Sequence, residues 1–157
     1  MCEYCGCQAL RTIDELTREH DHVVTLIGHV RAAWELGDIP AMSLAAQEIA
    51  AVLVPHTAVE EHGLFPALAL EFPDHIHNLE AEHRAIEAVL AQAQDDALSD
   101  PSWPARLLEA LDVLREHILK EQDGVFPAAL SRLAAQDWEA AEEIRARVGI
   151  AREVRVG

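Results

Sequence analysis

Two short stretches of the sequence carry the same reactive side chains at the same spacing. They are "HTAVEEHGLFPAL" at 56–68 and "HILKEQDGVFPAAL" at 117–130. Each has a histidine, a glutamate four residues later, and then Gly-x-Phe-Pro, and the second copy follows the first by 61 residues. A repeat that served packing alone would keep apolar positions and would have no reason to keep a His/Glu pair. The repeat therefore indicates a site with chemistry.

A second pair of histidines extends the repeat. "REHDHVV" at 18–24 resembles "AEHRAIE" at 81–87, which aligns His20 with His83. The chain thus reads as a helix with one histidine followed by a helix with His-x-x-x-Glu, and then the same again. Residues four apart on a helix lie on one face, roughly 6 Å apart, so each His/Glu pair can address a single point.

Together these side chains form a ligand set for two metal ions. The predicted ligands are His20, His56, Glu60, His83, His117 and Glu121. Burying them without a cation would be costly, and imidazole with carboxylate suits iron, manganese or zinc rather than calcium or magnesium. Glu60 and Glu121 can each bridge two ions about 3.5–4 Å apart. With about six positions per iron and one oxo or hydroxo bridge, about two positions stay open for O2, peroxide or NO.

Other histidines and acids compete for these roles. His22 lies about 200° around the helix from His20, so only one of the two can point inward, and the alignment with His83 favours His20. A third His-x-x-x-Glu pair, His83 with Glu87, falls outside the repeat because Glu87 aligns with Val24. We expect Glu87 at the surface or beside the ligands rather than among them.

The remaining candidates are weaker. Glu80, one helical turn before His83, stays open as an additional ligand, and Glu61 could support the neighbouring Glu60, although a solvated face is the preferred interpretation. Four other histidines are expected at the surface: His29, His62, His75 and His77.

Three cysteines precede the first predicted helix. Cys2, Cys5 and Cys7 form C-x-x-C-x-C, which lacks the fourth ligand of an ordinary zinc or iron–sulfur site. A C-x-x-C pair can form a redox disulfide, whereas a cytosolic location argues against a structural one. Two interpretations stay open: a tail of free thiols, or a redox or metal-handling tail that delivers electrons or iron.

The elements that position these residues are helices. The chain has 157 residues, half of them apolar, with seven prolines and seven glycines, a composition typical of one all-α domain. Amphipathic segments run over about 7–36, 40–70, 74–93 and 103–133, with a shorter one over about 138–148. Short connections favour an up-down-up-down four-helix bundle with a short fifth helix packed outside. The predicted division is a cysteine-containing tail at 1–8, the bundle at 9–135, and the C-terminal helix and tail at 136–157.

Several function classes are excluded by composition. The net charge of −16 opposes binding to nucleic acid or to an anionic membrane. No apolar run is expected to reach membrane-spanning length, and "MCEYCGCQAL" lacks the regions of a signal peptide, so we expect a cytoplasmic protein. No Ser/His/Asp arrangement or Gly-rich phosphate loop supports nucleophilic hydrolysis or nucleotide binding.

The ligand pattern with its "FPAL" and "FPAAL" exits resembles the hemerythrin-like (HHE cation-binding) family over about residues 9–135. The resemblance implies a four-helix bundle with a non-haem di-iron centre, oxo- or hydroxo-bridged, with iron preferred to manganese or zinc. Two positions differ from oxygen-carrying hemerythrins. Those have a histidine four residues before the position of His83, where this chain has Leu79. They also have an aspartate five residues after the position of His117, where this chain has Gln122, and Glu121 takes the place of that aspartate. The pattern is similar to bacterial hemerythrin-like proteins with H–HxxxE–H–HxxxE ligands.

These departures put reversible O2 carriage in doubt. They favour binding of O2, NO or peroxide at the iron pair, with consumption of peroxide or NO in stress defence and an unidentified electron donor. The alternative is a non-catalytic iron, oxygen or redox sensor, or an iron-handling protein. The oligomeric state is not determined by the sequence.

Overall fold

The computed structural model describes residues 5–94 and 99–149, with only the backbone described for Cys5, and these residues form helices and short connections. The α-helices are α1 (Cys5–Glu35), α2 (Ile39–Val59), α3 (Phe65–Ala69), α4 (Pro73–Ala91), α5 (Trp103–Lys120), α6 (Phe126–Arg132) and α7 (Ala135–Val148). Two π-helical segments, π1 (Glu60–Leu64) and π2 (Glu121–Val125), join α2 to α3 and α5 to α6. The prediction of an all-α bundle with a short C-terminal helix is confirmed.

Four long helices make the bundle: α1, α2 through α3, α4, and α5 through α6. α1 packs along α2 and α4 packs along α5, while α2 also contacts α4 and α1 contacts α5. Gly37 ends α1 with a positive φ of +67°, and Asp38 caps α2 by accepting a hydrogen bond from the Ala41 N–H at 3.0 Å. α1 begins at Cys5, inside the segment predicted as a tail.

The apolar core has two parts with a polar layer between them. One cluster is built around Ile49, Trp103 and Leu111, and the other around Phe65 and Trp138. Each long helix passes from one cluster to the other at the level of the predicted ligands. The ligands therefore lie at mid-height in the bundle, with apolar packing on both sides.

The buried stripe of α1 ends at Ala33. Val30 and Ala33 are buried, whereas Trp34 is 46% exposed. The next inward position after Val30 is Ala33, three residues further on. Trp34 therefore lies to one side of the buried face, close to the end of the helix.

The two π segments begin at the two predicted bridging glutamates. Pro66 and Pro127 stand in the first turn of the α-helices that follow them, and the wider π turn lies where an α-turn would lose a hydrogen bond to proline. α2 continues through Pro55. The repeat seen in the sequence is thus also a repeat of backbone geometry.

α7 packs on the outside of the bundle, against α1, α2 and π1. Trp138 is 1% exposed and Ala141 is fully buried. A Cβ at Gly63 would lie 2.9 Å from the Ala141 Cβ, so this close approach of α7 to π1 requires glycine.

One described helix reaches membrane-spanning length, contrary to the prediction. Ile39–Ala69 has 31 residues and a mean hydropathy of 1.2 over its most apolar window, of which 56% is buried inside the protein. The same helix carries His56 and Glu60 inward. It therefore has the properties of a core helix, and one such helix is weak evidence for a membrane.

Candidate metal centre

The structure brings all six predicted ligands together in the polar layer. They form two groups, in each of which the ligand atoms lie within 4.8 Å of one another. Position A is His20, His56, Glu60 and Glu121, and position B is Glu60, His83, His117 and Glu121. The two glutamates belong to both groups and are fully buried.

Each glutamate lies between one histidine of each position. The Oε2 and Oε1 atoms of Glu60 lie 3.2 Å from the Nε2 of His56 and 3.3 Å from the Nε2 of His83, respectively. The Oε1 and Oε2 atoms of Glu121 lie 3.1 Å from the Nε2 of His20 and 3.3 Å from the Nε2 of His117. One carboxylate oxygen therefore faces each position, as a bridging ligand requires.

The donor atoms fit metal ions better than they fit one another. Both carboxylate oxygens of Glu60, the Oε2 of Glu121 and the Nε2 of His117 are buried without a hydrogen-bond partner. A buried carboxylate without a donor is costly, and a cation bound by these lone pairs removes that cost. The cavity among them has a volume of about 10 Å³, which is about the space that one water molecule needs.

Without metal, protons take the place of the cations. Burial lowers the pKa of His56, but Glu60 and Glu19 outweigh it and raise the pKa to about 10. Burial likewise opposes protonation of His117, while Glu121 and the other nearby carboxylates raise its pKa to about 9. The pKa of Glu60 is raised by burial but lowered further by His56, and it lies well below its usual range. The metal-free site therefore keeps protonated histidines beside its buried carboxylates.

In each of the four predicted histidine ligands, the Nδ1 atom points away from the centre and contacts a hydrogen-bond acceptor. The Nδ1 atoms of His56, His117, His83 and His20 pair with Glu19 Oε1 at 3.1 Å, Glu82 Oε1 at 2.9 Å, Glu61 Oε2 at 2.6 Å and Gln122 Oε1 at 3.0 Å, respectively. Since these oxygens accept, each Nδ1 carries a proton, and each Nε2 points to the centre, where it can bind a metal once it has no proton of its own.

Most of these acceptors are not predicted by the ligand pattern. Glu19 and Glu82 each precede a predicted histidine ligand, and Glu61 and Gln122 each follow a predicted bridging glutamate, so the repeat contained the signal. Glu61 was expected to face solvent, but its side chain is 10% exposed and binds His83. The π turn gives the physical reason, because two consecutive residues at its start can serve the site from different sides.

Three cations hold these acceptors in place. Arg145 of α7 donates to both oxygens of Glu19 at 2.7 and 3.0 Å, and its side chain is 11% exposed. Arg145 also pairs with Glu15 at 3.1 Å. Lys120 pairs with Glu82 at 2.8 Å and is 54% exposed. Arg84 pairs with Glu61 and is 58% exposed.

The competing candidates lie elsewhere. His22 is half-buried and belongs to neither position, and Glu80 joins neither group. Glu87 lines the central cavity and pairs with Arg84 at 3.4 Å, with a side chain 43% exposed. The four histidines predicted at the surface, His29, His62, His75 and His77, are exposed.

The cysteine motif is described only in part. Cys7 is disulfide-bonded, so it is not a free thiol. The side chains of Cys2 and Cys5 lie outside the described residues, and the redox or metal-handling role of this segment stays a prediction.

Comparison with known families gives one match. The model of the hemerythrin HHE cation-binding domain matches residues 11–129, a range that contains all six predicted ligands and leaves α7 outside. No curated protein and no solved structure matches the chain. The family match covers most of the chain and agrees with the bundle and its His/Glu groups. The chain therefore belongs to the hemerythrin HHE cation-binding domain family.

Proposed function

We propose that positions A and B hold two iron ions, and that this dinuclear centre binds O2, NO or peroxide. His20, His56, His83 and His117 would be terminal ligands, with Glu60 and Glu121 as bridges. The observation that carries the proposal is that both glutamates are shared by the two groups, fully buried, and left with unpaired oxygens. The ligand pattern supports the bacterial H–HxxxE–H–HxxxE type within the family.

Iron, when bound, supplies open coordination positions and redox chemistry at a site that otherwise has no electron source. Imidazole with carboxylate also suits manganese and zinc, but zinc has no redox chemistry, and the family resemblance favours iron over manganese. The chain supplies the surroundings. The two apolar clusters pack on both sides of the centre, and the cavity of about 10 Å³ is too small for an organic substrate.

The activity that we propose is consumption of peroxide or NO in stress defence, in the cytoplasm, with an electron donor that is not identified. The rival proposal is a non-catalytic iron or redox sensor. The disulfide at Cys7 favours it, because α1 carries both this oxidised cysteine and His20. The same helix would then respond both to metal loading and to the redox state of its cysteines.

Metal content tests the ligand assignment. We expect about two irons per chain by elemental analysis of freshly purified protein, with the visible spectrum of a dinuclear ferric centre. His117→Ala, which removes one ligand of position B, should retain about one iron, and Glu60→Ala, which affects both positions, should retain less than one. His29→Ala removes an exposed histidine and serves as the control with two. Wild-type iron content in the His117→Ala protein would rule out this ligand set.

Turnover separates the two proposals. Loss of peroxide or NO should be catalysed by the iron-loaded wild type and not by Glu60→Ala. A protein whose stability depends on metal but which consumes neither compound is a sensor or an iron-handling protein. In that case Cys7→Ser should change the response to oxidant without changing iron content.

A further inference from the structure

We infer that the two metal positions are unequal, and that position B binds the first divalent ion more tightly than position A. The cause is one pair of residues, Glu61 and Gln122, which accept from the outward nitrogens of equivalent histidines. This inference rests on the proposed dinuclear site and adds an order of loading to it.

The pair is the one chemical break in an otherwise repeated arrangement of acceptors. Glu19 on His56 corresponds to Glu82 on His117, and both acceptors are carboxylates. The other two acceptors also occupy equivalent positions, directly after a bridging glutamate. There, His83 of position B pairs with the carboxylate of Glu61, whereas His20 of position A pairs with an amide oxygen.

A carboxylate acceptor makes an imidazole a stronger ligand. It draws the Nδ1 proton, increases the electron density on Nε2 and places a negative charge near the metal. An amide oxygen fixes the same tautomer but adds no charge. Both histidines of position B therefore have anionic partners, but only one histidine of position A does. Changes to such partners typically alter metal affinity by about 10–100-fold.

The cations around the acceptors strengthen this difference. Arg84 and Lys120, on the position B acceptors, are 58% and 54% exposed, so water screens much of their charge. Arg145 is 11% exposed and donates twice to Glu19, so it withdraws more of the negative charge that reaches His56. Glu15, the second partner of Arg145, returns part of that charge from a greater distance.

Unequal binding steps alone would not establish the cause. Two identical positions that share bridging ligands can also bind in unequal steps, because the first ion repels the second. The diagnostic observation is therefore which step each substitution changes. The chain offers matched exchanges: Glu61→Gln makes both acceptors amides, Gln122→Glu makes both carboxylates, and the double exchange reverses them.

The experiment is calorimetric titration of the full-length metal-free protein with Co²⁺ under anaerobic conditions. Glu61→Gln should weaken the first step by about 10–100-fold and change the second little. Gln122→Glu should tighten the second step and leave the first nearly unchanged. Each single variant should narrow the difference in affinity between the two binding steps, and the double exchange should restore that difference. Glu71→Gln, which removes an exposed carboxylate paired with Arg132, should change neither step.

Results that contradict the order of loading can be told apart from results that contradict the dinuclear site. If Glu61→Gln alters only the second step, or neither, the order of loading is wrong. If Glu61→Gln unfolds the protein, Gln122→Glu still decides, because tightening of the first step rather than the second would overturn the inference. Absence of Co²⁺ binding by the wild type would instead refute the dinuclear site itself.

Discussion

The half of the bundle formed by α1 to α3 and the half formed by α4 to α6 present the same ligands but stabilise them differently. In the first half the acceptor Glu19 is held by Arg145, which belongs to a helix outside the repeat. In the second half the acceptor Glu82 is held by Lys120, one residue before Glu121. The repeat thus extends to the ligands and to the positions of the acceptors, and it stops at the cations.

The outer surfaces of the two halves differ in the same way. π1 is covered by α7, with Gly63 against Ala141. π2 faces a cavity of about 600 Å³, lined in part by Leu79 and Val125, and a Cβ at Gly124 would meet nothing within 4 Å. The two π turns therefore place their glutamates equally well with and without a covering helix. α7 is not needed to form π1.

Removing each cation should show the largest difference between the halves. Arg145→Met leaves Glu19, with a side chain 7% exposed, without its guanidinium and with His56 as its remaining partner, so we expect a loss of about 3 kcal/mol in the free energy of unfolding, at the lower end for a broken buried pair. Lys120→Met affects Glu82, whose side chain is 24% exposed, and should cost about 0–1 kcal/mol. Urea unfolding of the metal-free proteins measures both.

A double variant checks the cause. Arg145→Met with Glu19→Gln removes the buried carboxylate together with the guanidinium, so it should recover part of the stability that Arg145→Met loses. Equal costs for Arg145→Met and Lys120→Met would show that burial of the ion pair is not what separates the halves. α7 would then stabilise the protein through Trp138 and its apolar neighbours alone.

The side chains that the structure brings together in the polar layer could be predicted from the sequence because the information is local. His56 and Glu60 are four residues apart on one helix, and the same pair at His117 and Glu121 makes the pattern a repeat. Helical spacing then fixes which side chains share a face. His20 could be preferred to His22 on the same basis, and the structure places His20 in position A.

The repeat marks the positions of the acceptors, but which acceptor reaches which imidazole, and which cation holds it, depends on packing between distant segments. Glu19 meets Arg145 across 126 residues of sequence, and His117 meets Glu82 across 35. Which of several acidic residues reaches an imidazole depends on how the helices are rotated in the bundle. The π turns have a local cause in Pro66 and Pro127, but a proline in a helical pattern predicts a kink or an end as readily as a wider turn.

A smaller difference is expected from the two glycines of the repeated Gly-x-Phe-Pro. Gly63→Ala places a methyl group 2.9 Å from the Ala141 Cβ, so α7 must shift, at a cost of about 1–3 kcal/mol. Gly124→Ala meets open space and removes backbone freedom from the unfolded chain, so it should be neutral or stabilise by up to about 1 kcal/mol. Thermal unfolding of the two variants gives the comparison, and a loss at Gly124 equal to that at Gly63 would mean that α7 is not what requires the glycine.

The smallest difference is in the titration of the two halves without metal. His117, with a pKa raised to about 9, should lose its proton before His56, whose pKa is raised to about 10. Burial opposes protonation of both histidines; Glu60 does most to raise the pKa of His56 and Glu121 does most to raise that of His117. The acceptors Glu19 and Glu82 add to this effect, with side chains 7% and 24% exposed. Imidazole resonances in NMR spectra of the metal-free protein, assigned with His117→Ala, would give both values.

The same titration predicts how stability depends on pH. Since both pKa values are raised above the ordinary 6.5, the two histidines stabilise the fold fully below about pH 6.5. This contribution is lost as pH rises, up to about 9 for His117 and about 10 for His56. Metal-free protein should therefore unfold at a lower temperature at pH 10 than at pH 6.5. Protein loaded with metal should not show this loss, because its imidazoles bind the ions through Nε2 and carry no proton there. Were the loaded and metal-free proteins to lose stability in parallel over this range, the titrating groups would lie outside the centre.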